Sequence, residues 1–540
     1  MSTDSPLTEP SRADDAAARV RYATVPPAGM RTAQPRPRPA RSAPARPRGA
    51  AVRRRSGLPL RTVVSAGAVL AVGIVLVVHA AVGTGSGDPA APSVPAAATL
   101  AIFLLAVWAW IATPLDDTLV AFLAAVALMA CASLPVATFF ASLGDETIWL
   151  LIGAFVLAAG VSDSGLALRG AVALVRRARR PRSLFHLVTL ALTLTTFAVP
   201  ATSGRAALAV PVFAALAAAL AGRASTVRAL SLLFPTVILL SAVGSLLGAG
   251  AHLITAQLLA ASGDGGFTFL TWLWFGLPLA MLSAHLACEI VLLRFTTRAD
   301  RRLPVRIDPD EIARSAGTPV RGPLTGGERK ALLLLAAVVL LWCTEPWHGV
   351  PAALVALIGG LAAVTPGIGV TTLPSAVGRV PWSLLLFLAA TLALGAALTG
   401  TGAAEWIGRV ALAPLAATGE AAGIVFVLVV IAVSLAAHLI IPSRSARSAA
   451  IIPLVIAFAP GLGVEPGAAA FASTAAAGFC HTLPSSAKPV AMFADPRIAP
   501  GGFQPADLRR LSAVLAPAMF LLVVVFALGI WPLMGMPMLR

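Results

Sequence analysis

Two distant segments of the chain carry the same spacing of proline, serine and arginine. Residues 200–211 read Pro-Ala-Thr-Ser-Gly-Arg-Ala-Ala-Leu-Ala-Val-Pro, and residues 442–453 read Pro-Ser-Arg-Ser-Ala-Arg-Ser-Ala-Ala-Ile-Ile-Pro. Both lie in strongly apolar surroundings, which places Arg205 and Arg447 at membrane depth. A charged side chain there costs about 2.5–3.5 kcal/mol on insertion scales and by default indicates a functional site. Cations at matching points of two halves predict a symmetric pocket for an anion.

Neighbouring residues in these segments suit the same chemistry. Arg444 lies within the second segment, and its planar guanidinium matches carboxylate, sulfate or phosphate oxygens. Ser203, Ser443 and Ser445 supply hydroxyl donors close to the backbone. Helices that start at the two segments would direct their first N–H groups at the same anion.

The composition is that of a helical membrane protein with many spans. Of 540 residues, 58% are hydrophobic and only 12% are charged, which predicts an all-α polytopic fold. The net charge of +17 falls mainly in the first 61 residues and in the segments 169–182 and 294–330. This is the pattern of cytoplasmic loops, so we expect a multi-pass protein of the cell membrane with a cytoplasmic N-terminus and no nucleic-acid partner. The four cysteines have no paired spacing and predict neither a disulfide nor a metal site.

Apolar windows predict about eleven transmembrane helices and two re-entrant hairpins. The hairpin at 183–221 has arginines on both sides and its tip at Pro200, and its counterpart at 421–459 has its tip at Pro442. Non-helical backbone at membrane depth is tolerated only where it is buried or lines a cavity. The tips are therefore where a binding site is expected.

The repeat extends beyond the tips and predicts the domain organisation. Trp110-Ile-Ala-Thr-Pro114 recurs as Trp342-Cys-Thr-Glu-Pro346. Each copy would hold five spans and one hairpin, and an odd number of spans inverts the second copy. Inverted repeats with broken helices are typical of secondary transporters. The predicted parts are a disordered basic tail (1–61), a first helix with its outer loop (62–98), the two repeats (99–293 and 331–540) and a cytoplasmic linker (294–330).

The segment Thr147-Ile-Trp-Leu-Leu-Ile-Gly-Ala-Phe-Val-Leu-Ala-Ala-Gly160, together with the proline-anchored tips, resembles the divalent anion:sodium symporter family of the ion transporter superfamily. The resemblance covers most of residues 62–535. It implies transport of a dicarboxylate, a tricarboxylate or sulfate, usually with sodium, by a homodimer with elevator-type motion. No cofactor is implied beyond sodium as a coupling ion.

Departures from the family pattern shape the functional prediction. The family's Ser-Asn-Thr motif falls on residues 201–203 and 443–445, so that Arg444 replaces an asparagine, and guanidinium has no acceptor for sodium. A second motif, which in the family contains asparagine, falls on residues 248–252 and 486–490, where His252 and Lys488 stand. We therefore expect an anion transporter in which fixed cations reduce or replace the role of sodium. The candidate substrate-binding residues are Thr202, Ser203, Arg205, His252, Ser443, Arg444, Ser445, Arg447 and Lys488.

Other interpretations remain open at this point. The chain would be an ordinary sodium-coupled dicarboxylate or sulfate symporter if the substituted residues are peripheral. It would be a transport-dead anion sensor or scaffold if loss of the asparagines abolished transport. Arg205 or Arg447 would have a structural role if its guanidinium bonded the hairpin's own carbonyls. An enzyme is disfavoured because the chain has no zinc-type His/Glu spacing and no nucleophile elbow, and fixed cations at the tips oppose a cationic substrate.

Overall fold

Long apolar helices account for nearly all regular structure in the protein. The computed structural model describes residues 60–86, 88, 90–263, 265–305, 310, 322–416 and 421–540. The predicted tail up to residue 59, and the parts of the predicted linker at 306–309 and 311–321, lie outside the described residues. Within the described ranges there are helices and an isolated bridge between Val464 and Leu539, but no β-strand. The predicted all-α polytopic fold class is confirmed.

The described residues contain ten helices long and apolar enough to cross a membrane, compared with about eleven predicted spans. The apolar segments 118–135 and 351–364, each predicted as a span, form the helices Asp117–Ala130 and Ala352–Val364, which are shorter than this limit. Conversely, Thr202–Ala219 and Ala422–Leu439, which belong to the predicted hairpins, are among the ten. Hydropathy alone does not separate a full span from half of a broken one.

The first helices run from α1 to α12 in chain order. Their bounds are Leu60–Ser86 (α1), Val94–Ala112 (α2), Asp117–Ala130 (α3), Val136–Ser142 (α4), Glu146–Ser164 (α5), Leu166–Val175 (α6), Pro181–Ala198 (α7), Thr202–Ala219 (α8), Ala224–Leu240 (α9), Gly250–Ala261 (α10), Phe269–Phe295 (α11) and Arg298–Arg302 (α12). Proline or glycine residues stand at several of these boundaries, where they limit helix continuation.

The described helices after the linker follow the same order of long and short elements as α2–α11. Their bounds are Gly326–His348 (α13), Ala352–Val364 (α14), Leu373–Val377 (α15), Trp382–Gly400 (α16), Ala403–Ala416 (α17), Ala422–Ala436 (α18), Arg444–Phe458 (α19), Pro466–Ala476 (α20), Lys488–Ala494 (α21), Pro505–Val525 (α22) and Trp531–Leu533 (α23). A single π-helical turn, Phe526–Ile530, joins the last two.

The two halves pack against each other in a reciprocal way. Helix α5 of the first half packs on α14 of the second, and α16, which corresponds to α5, packs on α3. The first contact is very close: a Cβ atom added to Gly153 would lie 2.4 Å from the carbonyl carbon of Ala356. Small residues at this crossing let the two backbones approach, as is usual between membrane helices.

Helix α6 lies where the sequence analysis placed a basic connecting segment. Its Arg169 is buried and donates to Glu328 Oε1 at 2.6 Å. Glu328 also accepts from the Thr325 backbone N–H at 2.7 Å, which completes a capping box at the start of α13. The arginine therefore ties the two halves together beside the linker and is not a solvated loop charge.

Candidate functional site

Four interruptions of helices place non-helical backbone inside the protein. Two of them lie at the sequence motifs. Residues 199–201 separate α7 from α8. Residues 440–443 separate α19 from the 3₁₀ turn Ala437–Leu439 that follows α18. The other two, at 241–249 and 477–487, separate α9 from α10 and α20 from α21. Helices α7–α8 and α18–α19 span the segments predicted as hairpins.

The first turns of α8, α10 and α19 offer backbone N–H groups at these breaks. Ala201 and Ala249, which precede α8 and α10, provide no side-chain acceptor, whereas Ser443 Oγ accepts from the Ala446 N–H at 3.3 Å. A Cβ atom added to Gly250 would lie 3.1 Å from Ser445 Oγ, so the starts of α10 and α19 touch. Uncapped helix N-termini carry a partial positive charge that favours anions.

Arg205 is fully buried, and the protein itself occupies its donors. Its Nε donates to Thr195 Oγ1 at 3.0 Å and its Nη1 to the Ile238 carbonyl at 3.0 Å. Its Nη2 donates to the Leu192 carbonyl and to Ser241 Oγ, both at 2.7 Å. These bonds join the ends of α7 and α9. They correspond to the structural role that the sequence analysis left open for Arg205.

Arg447 is equally buried but almost without partners among the described residues. Its Nη2 donates to Cys480 Sγ at 2.8 Å, while Nε and Nη1 are buried with no hydrogen-bond acceptor. Arg444, one helical turn earlier, likewise has Nε and Nη1 buried and unpartnered. Buried charged donors without acceptors are costly, so these two guanidinium groups call for an anion.

The different surroundings of Arg205 and Arg447 follow from residues at equal offsets. Arg205 bonds to side chains 10 residues before it and 36 after it, and to a backbone carbonyl 33 after it. At the same offsets from Arg447 stand Ala437 and Leu483, which have no side-chain acceptor, and Cys480, its partner at offset 33. The motif repeats, but the acceptors that satisfy its arginine do not.

His252 adds the complementary hydrogen-bonding group. It is fully buried, stacks on Trp272 with ring centroids 5.0 Å apart, and lies within electrostatic range of Arg444. Its Nδ1 lies 3.0 Å from the Ser245 carbonyl oxygen, which can only accept, so Nδ1 carries the proton. The neutral ring then has its acceptor at Nε2, which is buried without a partner among the described residues.

The remaining predicted residues surround this group at different depths. Thr202 and Ser203 are half-buried in the first turn of α8, and Ser443 and Ser445 are half-buried at the start of α19. Lys488 is exposed at the start of the short helix α21 and lies within electrostatic range of Asp117. The Asp117 carboxyl also interacts with Ser443, so Lys488 is an exposed cation near the start of α19.

A metal site is not found here or elsewhere in the described ranges. No group of three or more His, Cys, Asp or Glu side chains in these ranges could hold a metal ion. Close to the second tip, the unpartnered donors of Arg444 and Arg447 would repel a bound cation.

Some residues of the site were missed by the sequence analysis. Cys480 was considered only as a possible disulfide or metal ligand, yet it is the partner of Arg447. Thr195 and Ser241 were not singled out, although they determine that Arg205 is satisfied. Only a comparison of the two repeats could have identified them. Hydroxyl residues stand at these two positions relative to Arg205, whereas apolar residues stand at the same positions relative to Arg447.

Comparisons with known proteins identify the family. Residues 103–476 match the family described as citrate transporter. A membrane protein of Cupriavidus necator is 24% identical over 321 residues, which cover 59% of this chain and 61% of that relative, less than two thirds of its length. The crystal structure of the Alcanivorax borkumensis YdaH transporter is similar over 75% of this chain and 88% of that chain, with 19% identity and a TM-score of 0.49. Because the family match spans more than half of the chain, the protein belongs to the family described as citrate transporter, which is a family of transporters and not of enzymes.

Proposed function

We propose that the protein carries a multivalent organic anion across the membrane and that Arg444 and Arg447 bind this anion. The observation that carries the proposal is the pair of buried guanidinium groups, each with Nε and Nη1 lacking an acceptor among the described residues. An anion placed between them would satisfy several donors at once. It would also gain charge-assisted hydrogen bonds, which are about twice as strong as neutral ones.

The electrostatic setting favours an anion with more than one charge. Two guanidinium groups, together with the uncapped starts of α8 and α10, make the empty site strongly positive. A monovalent anion would leave much of that charge uncompensated in surroundings of low dielectric constant. A dicarboxylate or tricarboxylate would neutralise both arginines, and each carboxylate is a geometric match for a guanidinium fork.

His252 narrows the substrate class within this proposal. Its unpartnered Nε2 is an acceptor and requires a donor from the substrate. A hydroxycarboxylate such as citrate provides a hydroxyl group, whereas fully ionised sulfate has acceptors only. The family name agrees with this choice, so we propose citrate as the first substrate to test and sulfate as a weaker one.

The role of sodium is reduced in this proposal. Arg444 stands where the resembling family places a sodium-binding asparagine, and its free donors would repel a cation there. The coupling would then be to another ion or to a counter-transported anion. Elevator-type motion and a homodimer enter through the family resemblance, and a cytoplasmic N-terminus enters through the distribution of arginine.

Arg205 has a different role in this proposal, because four hydrogen bonds to the protein already occupy its guanidinium group. It would hold the α7–α8 turn against α9 and leave the first turn of α8, with Thr202 and Ser203, free to contact the substrate. Lys488, which is exposed, would attract the anion toward the site and not bind it directly.

Uptake of labelled citrate into liposomes containing the purified protein tests the proposal. We expect uptake with choline in place of sodium, its loss in Arg447→Gln and Arg444→Gln, and its retention in Lys330→Gln, which removes an exposed cation in the first turns of α13. Strict dependence on a sodium gradient would favour the ordinary symporter. Binding without uptake, under every gradient, would favour the transport-dead sensor.

A further inference from the structure

A cavity of about 490 Å³ extends along α10 from Leu253 to Ala261 at the C-terminal end of the helix. It is walled by the start of α5, one side of α10, the loop before α11, the end of α13 and the start of α14. Most of its lining is apolar, including Leu150, Leu253, Leu392, Phe267 and Phe269. Its charged lining residues are all acidic: Asp145, Glu146 and Glu345.

The hydrogen-bonding groups of this cavity include unpartnered acceptors. Gln257 is 6% exposed, and its Nε2 donates to Asp145 Oδ1 at 2.7 Å. That bond fixes the amide orientation and leaves Oε1 buried without a donor among the described residues. Glu345 Oε2 is also buried and unpartnered. A ligand that satisfies these atoms must donate hydrogen bonds or carry positive charge.

The dipole of α10 makes the same demand. The helix has 12 residues and is about 18 Å long. Its N-terminus carries partial positive charge and faces the arginines, while its C-terminal half, with Gln257, Ala260 and Ala261, lines the acidic cavity. The positive N-terminus of α10 therefore faces the cationic arginines, and its negative C-terminus faces the acidic residues of the cavity. An anion would relieve this repulsion at the first end, and a cation would relieve it at the second.

The arrangement of the carboxylates indicates the kind of cation. Asp145 directly precedes α5, whereas Glu345 lies near the end of α13, so different walls of the cavity present the two carboxylates. The volume is within the range of small-molecule sites, and Phe267 and Phe269 offer faces for cation–π contact. An organic cation with separated ammonium groups matches carboxylates on different walls.

We propose that the cavity between α5, α10 and α13 binds a small aliphatic amine with two ammonium groups, with Asp145, Glu345 and Gln257 Oε1 as its acceptors. The proposal does not depend on the anion site, because Arg444, Arg447 and His252 do not line this cavity. The bound amine would contact α10, the helix that also carries His252.

Thermal unfolding of the full chain in detergent, with 1,4-diaminobutane as the probe, tests this site. We expect the diamine to raise the unfolding temperature at concentrations where NaCl and MgCl2 of equal ionic strength do not. Glu345→Gln should weaken the apparent affinity about tenfold or more, because it removes a charge-assisted contact. Glu405→Gln, which removes an exposed acid outside the cavity, should leave the affinity unchanged.

A steric variant keeps the test decisive if loss of charge disturbs folding. Ala260 is exposed to the cavity and makes no side-chain hydrogen bond, so Ala260→Phe fills the space while keeping every acid. Loss of diamine binding in this variant, with citrate binding intact, supports the site. Equal stabilisation by Na⁺ or Mg²⁺, no stabilisation by the diamine, or unchanged diamine binding in both Glu345→Gln and Ala260→Phe would overturn the proposal.

Discussion

Replacing Arg447 with leucine should leave the anion-free protein as stable as the wild type or more stable, whereas Arg205→Leu should destabilise it strongly. Both arginines are fully buried and occupy the same position of the sequence motif. Both substitutions replace a charged guanidinium side chain by the same apolar side chain. The pair therefore isolates one variable, which is whether the protein supplies hydrogen-bond acceptors to the guanidinium group.

The magnitudes follow from the partners of each side chain. Arg205 donates four hydrogen bonds of 2.7–3.0 Å to neutral acceptors, and Arg205→Leu leaves these buried acceptors without that donor at a cost of about 1–3 kcal/mol each. Arg447 donates one bond, to sulfur, and buries two unpartnered nitrogens. Replacing a poorly compensated buried ion by an apolar side chain is neutral or stabilising by about 1–4 kcal/mol. We therefore expect the two variants to differ by at least about 3 kcal/mol.

A saturating anion should stabilise the wild type but not Arg447→Leu. At a citrate concentration of 100 times Kd, the wild type gains about 2.7 kcal/mol by linkage. The Arg447→Leu variant should gain nothing, because the site has lost a central charge. Arg205→Leu should still gain stability from citrate, provided that it folds.

Unfolding of the purified protein in detergent, followed through its ten tryptophans, measures these differences with and without citrate at matched ionic strength. Choline chloride serves as the control for ionic strength. If Arg447→Leu were destabilised as much as Arg205→Leu, the two arginines would have the same structural role. If Arg447→Leu still gained stability from citrate, the anion would not contact Arg447. Either result refutes the reasoning.

Three further outcomes follow from other contacts. Gly250→Val should reduce citrate uptake at least about tenfold, because a Cβ atom there would lie 3.1 Å from Ser445 Oγ and the larger side chain would crowd the contact between the starts of α10 and α19; normal uptake would contradict this. Glu328→Ala should lower thermal stability by about 3 kcal/mol, because it leaves Arg169 without its carboxylate; stability equal to that of the wild type would count against it. Hydrogen bonds from Thr297 lower the pKa of the Asp300 carboxyl. The stability that the ionised carboxylate gives to α12 is therefore present above a pH of about 4 and is lost as the pH falls through the lowered pKa. Asp300→Asn should therefore speed hydrogen exchange of α12 at pH 7, and this difference should shrink below a pH of about 4.

Much of the architecture was predictable from hydropathy and charge. The paired motifs predicted where α8 and α19 begin, because proline at 200 and 442 prevents α-helix continuation in the preceding residues. Residues 230–260 form one apolar window in the sequence, but the structure interrupts the α-helix at 241–249. That interruption consists of small and apolar residues, so the hydropathy of the segment does not change where the helix breaks.

The site was only partly predictable because it depends on contacts between distant residues. Arg444, Arg447 and His252 were among the predicted residues, and Arg444 lies within electrostatic range of both Arg447 and His252. The acceptors that distinguish Arg205 from Arg447 are up to 36 residues away, and the cavity residues Gln257 and Glu345 belong to different halves of the chain. A single sequence does not reveal which of these residues meet.

The repeated motif therefore has two outcomes within one protein, and the difference indicates how the site is divided. In the first half, hydroxyl groups and backbone carbonyls accept the hydrogen bonds of Arg205. The first turn of α8 therefore has an uncapped N-terminus but no side-chain cation free to bind substrate. In the second half, the arginine lacks those acceptors and a second arginine precedes it by one turn.

If both motif arginines bound substrate, giving Arg447 the hydrogen-bond acceptors that surround Arg205 would leave citrate binding unchanged. We expect instead that Ala437→Thr, which places a hydroxyl at the offset of Thr195, stabilises the empty protein and weakens citrate binding, because Arg447 would gain an internal acceptor that competes with the anion. Citrate affinity unchanged in this variant, measured beside Ala436→Thr as a control, would mean that the missing acceptor is not what keeps Arg447 available to the substrate.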